Sequence, residues 1–165
     1  MHTVSFDAWK EFFTAAVSAT AALTGLVFVA LSINLAKILT QPGLSARGGE
    51  TLILWAAALF TSLMTLIPGQ PSWVMAIKFG VVGLFAWGWP TMIHVGAGRL
   101  GHYGQRWQFV LRVLFHQVAT LPFVLAALSI VFAIDGTQYL LASGVLLTLG
   151  VGLFNAWILL VEIVR

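Results

Sequence analysis

Long apolar runs alternate with short polar breaks along the whole chain. A helix needs about 20 apolar residues to cross the roughly 30 Å hydrocarbon core of a bilayer, and five runs approach or exceed that length. The first extends from Phe12 to Leu39 and meets a strong breaker in Gln41-Pro42-Gly43. At about 1.5 Å per residue it is longer than one crossing requires, so it tilts or protrudes at one end. The second covers 50–67 and stops at Pro68-Gly69-Gln70-Pro71; it is short enough that a re-entrant segment would also accommodate it. The third covers 73–95 with Pro90 inside it, and the fourth covers 109–134 with Pro122 inside it; each proline predicts a kink. Asp135-Gly136 marks a tight turn, and the fifth run covers 139–164. The pattern predicts an all-α integral membrane bundle of about five transmembrane helices, one domain over 1–165, assembling as a homo-oligomer.

Composition strengthens this picture. Hydrophobic residues make up 60% of the chain and charged residues 8%, with a mean hydropathy of +0.99. Soluble domains keep about a quarter of their residues charged. Cysteine is absent, which rules out disulfides, iron–sulfur clusters and thiolate metal sites. Asp7, Lys10 and Glu11 mix signs where a cleavable signal would be basic, so the first run is expected to remain as a mature helix. The basic excess bears on topology rather than on nucleic acid. Lys37, Arg47, Arg99, Arg106, Arg112 and Arg165 fall on one predicted side, and only Lys10 and Lys78 on the other. That asymmetry predicts an outside N-terminus and a cytoplasmic C-terminus in a bacterial inner (plasma) membrane. Trp9, Trp73, Trp107 and Trp157 lie near predicted helix ends, and Trp55, Trp87 and Trp89 within a few turns of one; all read as interface anchors.

The first helix has the most distinctive face. Its leading half is nearly all small residues, and Thr14, Ser18, Ala21 or Ala22, Gly25, Val29, Ser32 and Ala36 form one stripe at three- and four-residue steps. Small residues let helices approach closely in lipid. The stripe serves either packing against the protein's own helices or a contact between copies around an axis. In the second case its hydroxyls line a narrow pore, and Asp7 and Glu11, spaced i, i+4, form a negative mouth that concentrates cations. Acids at a helix N-terminus also act as ordinary dipole partners. The segment Thr24-Gly25-Leu26-Val27-Phe28-Val29-Ala30-Leu31, with the alanine-rich turn before it, resembles the pore-lining first helix of Orai-type calcium channels. The resemblance implies a ring with this helix around its axis. The family's pore acid would fall at Ile33 and Asn34, so no functional residue carries over. The whole chain also resembles small multi-pass membrane proteins of bacteria, which implies no activity.

Ionisable residues elsewhere are few. His94 and His116 are placed to approach each other at similar depth, as axial haem ligation or a metal site would need, or to make a polar helix–helix contact. Arg112 precedes His116 by four residues; an intramembrane ionisable group is a functional candidate by default, but this one lies close enough to the interface to snorkel, so facing lipid is the leading reading. Lys78 is read in the same way. Asn155 and Glu162, seven apart, share a face and are expected to form an interhelical hydrogen-bond group. The formal GxGxxG at 96–101 follows a transmembrane helix rather than a strand, which rules out dinucleotide binding. Gly144, Thr148 and Gly152, and likewise Gly80 and Gly83, mark packing faces.

No nucleophile–base pair, paired carboxylates or metal-ligand cluster stands out, so no enzyme activity, cofactor or metal is expected. The leading expectation is a homo-oligomeric cation channel lined by Asp7, Glu11, Thr14, Ser18, Ala22, Gly25, Val29 and Ser32. Its partners are the lipid bilayer, further copies of the chain and cations, with no nucleic acid. The alternatives are a haem- or metal-binding electron-transfer bundle through His94 and His116, and a non-catalytic accessory subunit of a larger membrane complex.

Overall fold

A computed structural model describes residues 5–40, 42–99 and 106–164; for 42, 43, 93–99, 106, 108, 163 and 164 it describes the backbone alone. A single 3-10 turn at Asp7–Trp9 leads into α1 (Lys10–Ile33). There follow α2 (Leu35–Thr40), α3 (Pro42–Thr65), α4 (Ser72–Arg99), α5 (Arg106–Val131) and α6 (Thr137–Val164). No strand occurs among the described residues. Five of these helices are long and apolar enough to cross a membrane.

Several boundaries differ from the sequence expectation: α4 runs on to Arg99, α5 covers Arg106–Val131 rather than 109–134, and two larger differences have local reasons. The first run breaks at Asn34, whose Nδ2 donates to the Ala30 carbonyl at 2.9 Å. That bond competes with the helix ladder, and the short α2 follows it. Pro42 ends the first unit as expected but also opens α3, eight residues before the apolar run begins. Proline has no N–H to waste at a first helical position, and its φ is already helical. The extension makes α3 continuous over 24 residues, about 36 Å. The second run therefore has the length of a full crossing.

The helices α3, α4, α5 and α6 pack in a ring, each against the next and α6 back against α3. Successive members run antiparallel through short connections, so α3 and α5 face each other across the diagonal. Helix α1 lies outside the ring, mainly against α3. The interior is close-packed around Phe79, Phe123, Leu141 and Val145, all fully buried. The predicted glycine faces are what permit this. A Cβ at Gly83 would come within 3.0 Å of the Val124 amide, and one at Gly144 within 2.9 Å of the Phe123 ring. At Gly152 a Cβ would fall inside the indole of Trp55. Trp55 is 1% exposed, which corrects its reading as an interface anchor: an apolar ring beside a glycine gap gains more by filling the gap. Trp73, Trp107 and Trp157 are exposed near helix ends, as anchors should be.

The turns are tied by side chains. Gln70 Nε2 donates to the carbonyls of Met64 and Ile67 at 2.7 and 2.8 Å and so caps α3. Lys78 Nζ donates to Gln70 Oε1 at 2.6 Å, so this lysine reaches back to the loop. Ser129 and Thr137 share a hydroxyl–hydroxyl bond of 2.7 Å across the α5–α6 turn.

Candidate functional site: a charged bar across the bundle

Glu50 lies six residues inside the membrane-length part of α3, which begins at Leu44. Arg112 lies three residues inside the corresponding part of α5, which begins at Phe109. At 1.5 Å per residue these positions are about 5–10 Å along the helix axis from the starts of those segments. A lone charge is costly within a membrane span. The two meet across the diagonal: Arg112 Nε and Nη2 both donate to Glu50 Oε2, at 2.9 and 2.6 Å. Glu50 is buried, and its partner's side chain is 11% exposed. Charge-assisted bonds of this kind are among the strongest available to side chains.

His116 completes the group. Four residues after Arg112, it shares the inward face of α5 and is fully buried. Its Nδ1 lies 3.4 Å from Glu50 Oε1. One carboxylate on α3 thus addresses two side chains on α5. Beside them a second polar link joins α4 to α5: Trp87 Nε1 donates to Gln117 Oε1, and Gln117 Nε2 donates to Thr91 Oγ1 at 3.1 Å.

The bar divides two clefts. The larger, about 320 Å³, opens between α3, α5 and α6. Arg47, Glu50, Arg112 and Asn155 supply its polar wall, while Leu111, Val151, Phe154 and Ile158 supply the apolar one. Trp107 and Glu162 also line it. The smaller, about 200 Å³, lies between α3, α4 and α5 and shares Glu50 and Arg112 with the first. Asn155 is 5% exposed, and its Nδ2 is a buried donor with no hydrogen-bond partner. Buried amides nearly always find an acceptor, so this one marks a position where an acceptor is wanted.

These contacts revise two readings. Arg112 does not snorkel to lipid; it turns inward because the bundle offers it a carboxylate. Asn155 and Glu162 do line one cleft, as their spacing implied, yet the Asn155 amide donates to nothing there. His116 does make a polar helix–helix contact, with α3. The other half of the proposed histidine pair, the His94 side chain, lies outside the described residues, as do His102 and the side chains of the basic loop. Among the described residues, no three His, Cys, Asp or Glu gather as metal ligands.

The eight residues read as pore-lining are all exposed in the single chain. At about 100° per residue, the stripe from Thr14 to Ser32 lies opposite Phe13, Ala16, Thr20 and Val27, the buried face of α1. Within one chain the stripe therefore does not pack against other helices. Its hydroxyls are satisfied inside the helix: Thr14 donates to the Lys10 carbonyl at 2.8 Å, Ser18 to Thr14 at 3.2 Å and Ser32 to Phe28 at 2.8 Å. Asp7 lies in the turn before α1 and accepts from Ser5 Oγ at 2.8 Å.

Glu50 is the member of the charged group that sequence reasoning missed. It stands at the expected start of the second run, where the sequence assigns it no role. A signal was nevertheless present: the chain has only five acids, and Glu50 alone stands between Glu11 and Asp135. No family model, curated protein or solved structure matches this chain.

Proposed function

We propose that this membrane protein is a non-catalytic binding protein whose working site is the cleft between α3, α5 and α6, and that the ligand presents an anionic oxygen to it. One observation carries the reading: a preformed cleft beside a buried Glu–Arg pair holds an amide donor that lacks an acceptor. Intramembrane charges that face a bundle interior are functional candidates by default. By the cation asymmetry, this end of the bundle is the cytoplasmic end and the N-terminus lies outside.

The test is thermal unfolding of purified protein in a neutral detergent. Inorganic phosphate, glycerophosphate and short-chain phosphatidylglycerol are added in turn. A ligand at a hundred times its Kd stabilises by about 2.7 kcal/mol, a shift of several degrees. At least one of the three should produce it, and Asn155→Leu should abolish it. If none of the three shifts the wild type, the reading falls.

The exposed stripe on α1 supports a second reading, a homo-oligomer in which copies of α1 meet and conduct cations. Its support is that a small-residue face bearing hydroxyls points directly away from the chain's own bundle. Planar-bilayer recording tests it. Conductance reduced by the Asp7→Ala/Glu11→Ala variant is expected, and an electrically silent wild type discards it.

A further inference from the structure

We infer that the cleft between α3, α5 and α6 holds the phosphodiester of a membrane phospholipid, with an acyl chain leaving along Leu111 and Phe154. The inference rests on the reading of this cleft as the binding site and names its ligand.

The two walls differ in kind. Arg47, Arg112 and Asn155 offer donors, and Leu111, Val151, Phe154 and Ile158 offer hydrocarbon. A small soluble anion would use the first wall and leave the second wet. An amphiphile uses both. At about 320 Å³ the space is at the small end of ligand pockets, room for a headgroup rather than a whole lipid. The apolar wall continues outward, since Leu111 and Phe154 are 39% and 54% exposed inside membrane-length helices. A chain leaving the cleft there meets the surrounding acyl chains.

The lining charges cancel in sum, Arg47 and Arg112 against Glu50 and the exposed Glu162. Donors rather than net charge narrow the headgroup. Arg112 has five N–H groups and gives two of them to Glu50. The Asn155 amide, deeply buried, gives none. A phosphate oxygen supplies the acceptor that this amide needs. The position also fits, because the site lies within about 5–10 Å of the starts of both membrane-length segments, near the end of the bundle where a headgroup would sit. Basic pockets between helices at a cytoplasmic face are suited to acidic headgroups on general grounds.

Native mass spectrometry of the full-length protein in a phosphate-free neutral detergent tests this. Dioleoylphosphatidylglycerol, dioleoylglycerol and inorganic phosphate are titrated separately and in competition. The expected result is retention of phosphatidylglycerol, no retention of dioleoylglycerol, and no displacement by millimolar phosphate. Asn155→Leu and Arg47→Gln should each lower lipid occupancy about tenfold, the scale of a lost hydrogen bond to a charged group. Circular dichroism melts of both lipid-free variants should match the wild type; if one melts early, the other carries the test. Equal retention of dioleoylglycerol, or unchanged occupancy in a folded variant, overturns the inference. Binding of inorganic phosphate that displaces the lipid also overturns it, while leaving an anion-binding site in place. Binding of neither phosphate nor lipid removes both.

Discussion

Glu50 is the residue on which the charged group turns, because Arg112 and His116 both face it from the opposite helix. Removing one partner of a buried pair leaves the other charge uncompensated and costs about 3–5 kcal/mol. Glu50→Gln should therefore lower stability by that order in thermal unfolding. The double change Glu50→Leu/Arg112→Leu removes both charges and should recover most of the loss, since apolar replacements of buried pairs are often neutral. If the cleft is a binding site, the double variant should still fail to bind ligand. A fold held only by the bar and a site built on it are thereby separated. Packing makes its own prediction in the same region. Gly152→Ala drives a methyl into the Trp55 indole and should cost about 1–3 kcal/mol, read from the same melts.

Among the elements, α3 carries the most information. It packs against α1, α4 and α6, and its Glu50 reaches α5. Its early start at Pro42 makes it a full-length span and places Arg47 and Glu50 within the cleft wall. The absence of cysteine makes topology directly measurable. Single cysteines at Ser5 and Ser45, both exposed, should label from opposite sides of a sealed vesicle with an impermeant maleimide. Labelling of both from one side would contradict a spanning α1. Helix α1 is the peripheral element, and its outward face is where copies would meet. Ser18→Cys should form a disulfide-linked dimer on mild oxidation if they do, read on a non-reducing gel.

At the scale of the whole molecule, four antiparallel helices close a ring, and a fifth lies against one of them. One half of the ring is sealed by Phe123, Phe79 and the glycines around them. The other end is open enough to hold two clefts with a salt bridge between them. The aromatic layer fills the middle, while long charged side chains at this end leave space beside them; a further recess of about 460 Å³ lies at the opposite end, around Asp7, Lys10 and Gln70.

The five long helices were legible in the chain, because spanning a bilayer demands a run of apolar residues that few other folds tolerate; the short α2 after Asn34 was not. The glycine faces were legible too, since Gly144 and Gly152 recur on one side of a helix whatever its partner. Arg112 and His116 could be placed on one face from their spacing. What faced them could not. Their partner, 62 residues before Arg112, is on a helix that is not even an adjacent one in the ring, and pairing across a diagonal depends on how four helices close rather than on any local pattern. The outward turn of the α1 stripe has the same origin. A small-residue face can pack inward or outward, and only the docking of Phe13, Ala16, Thr20 and Val27 on the bundle decided which.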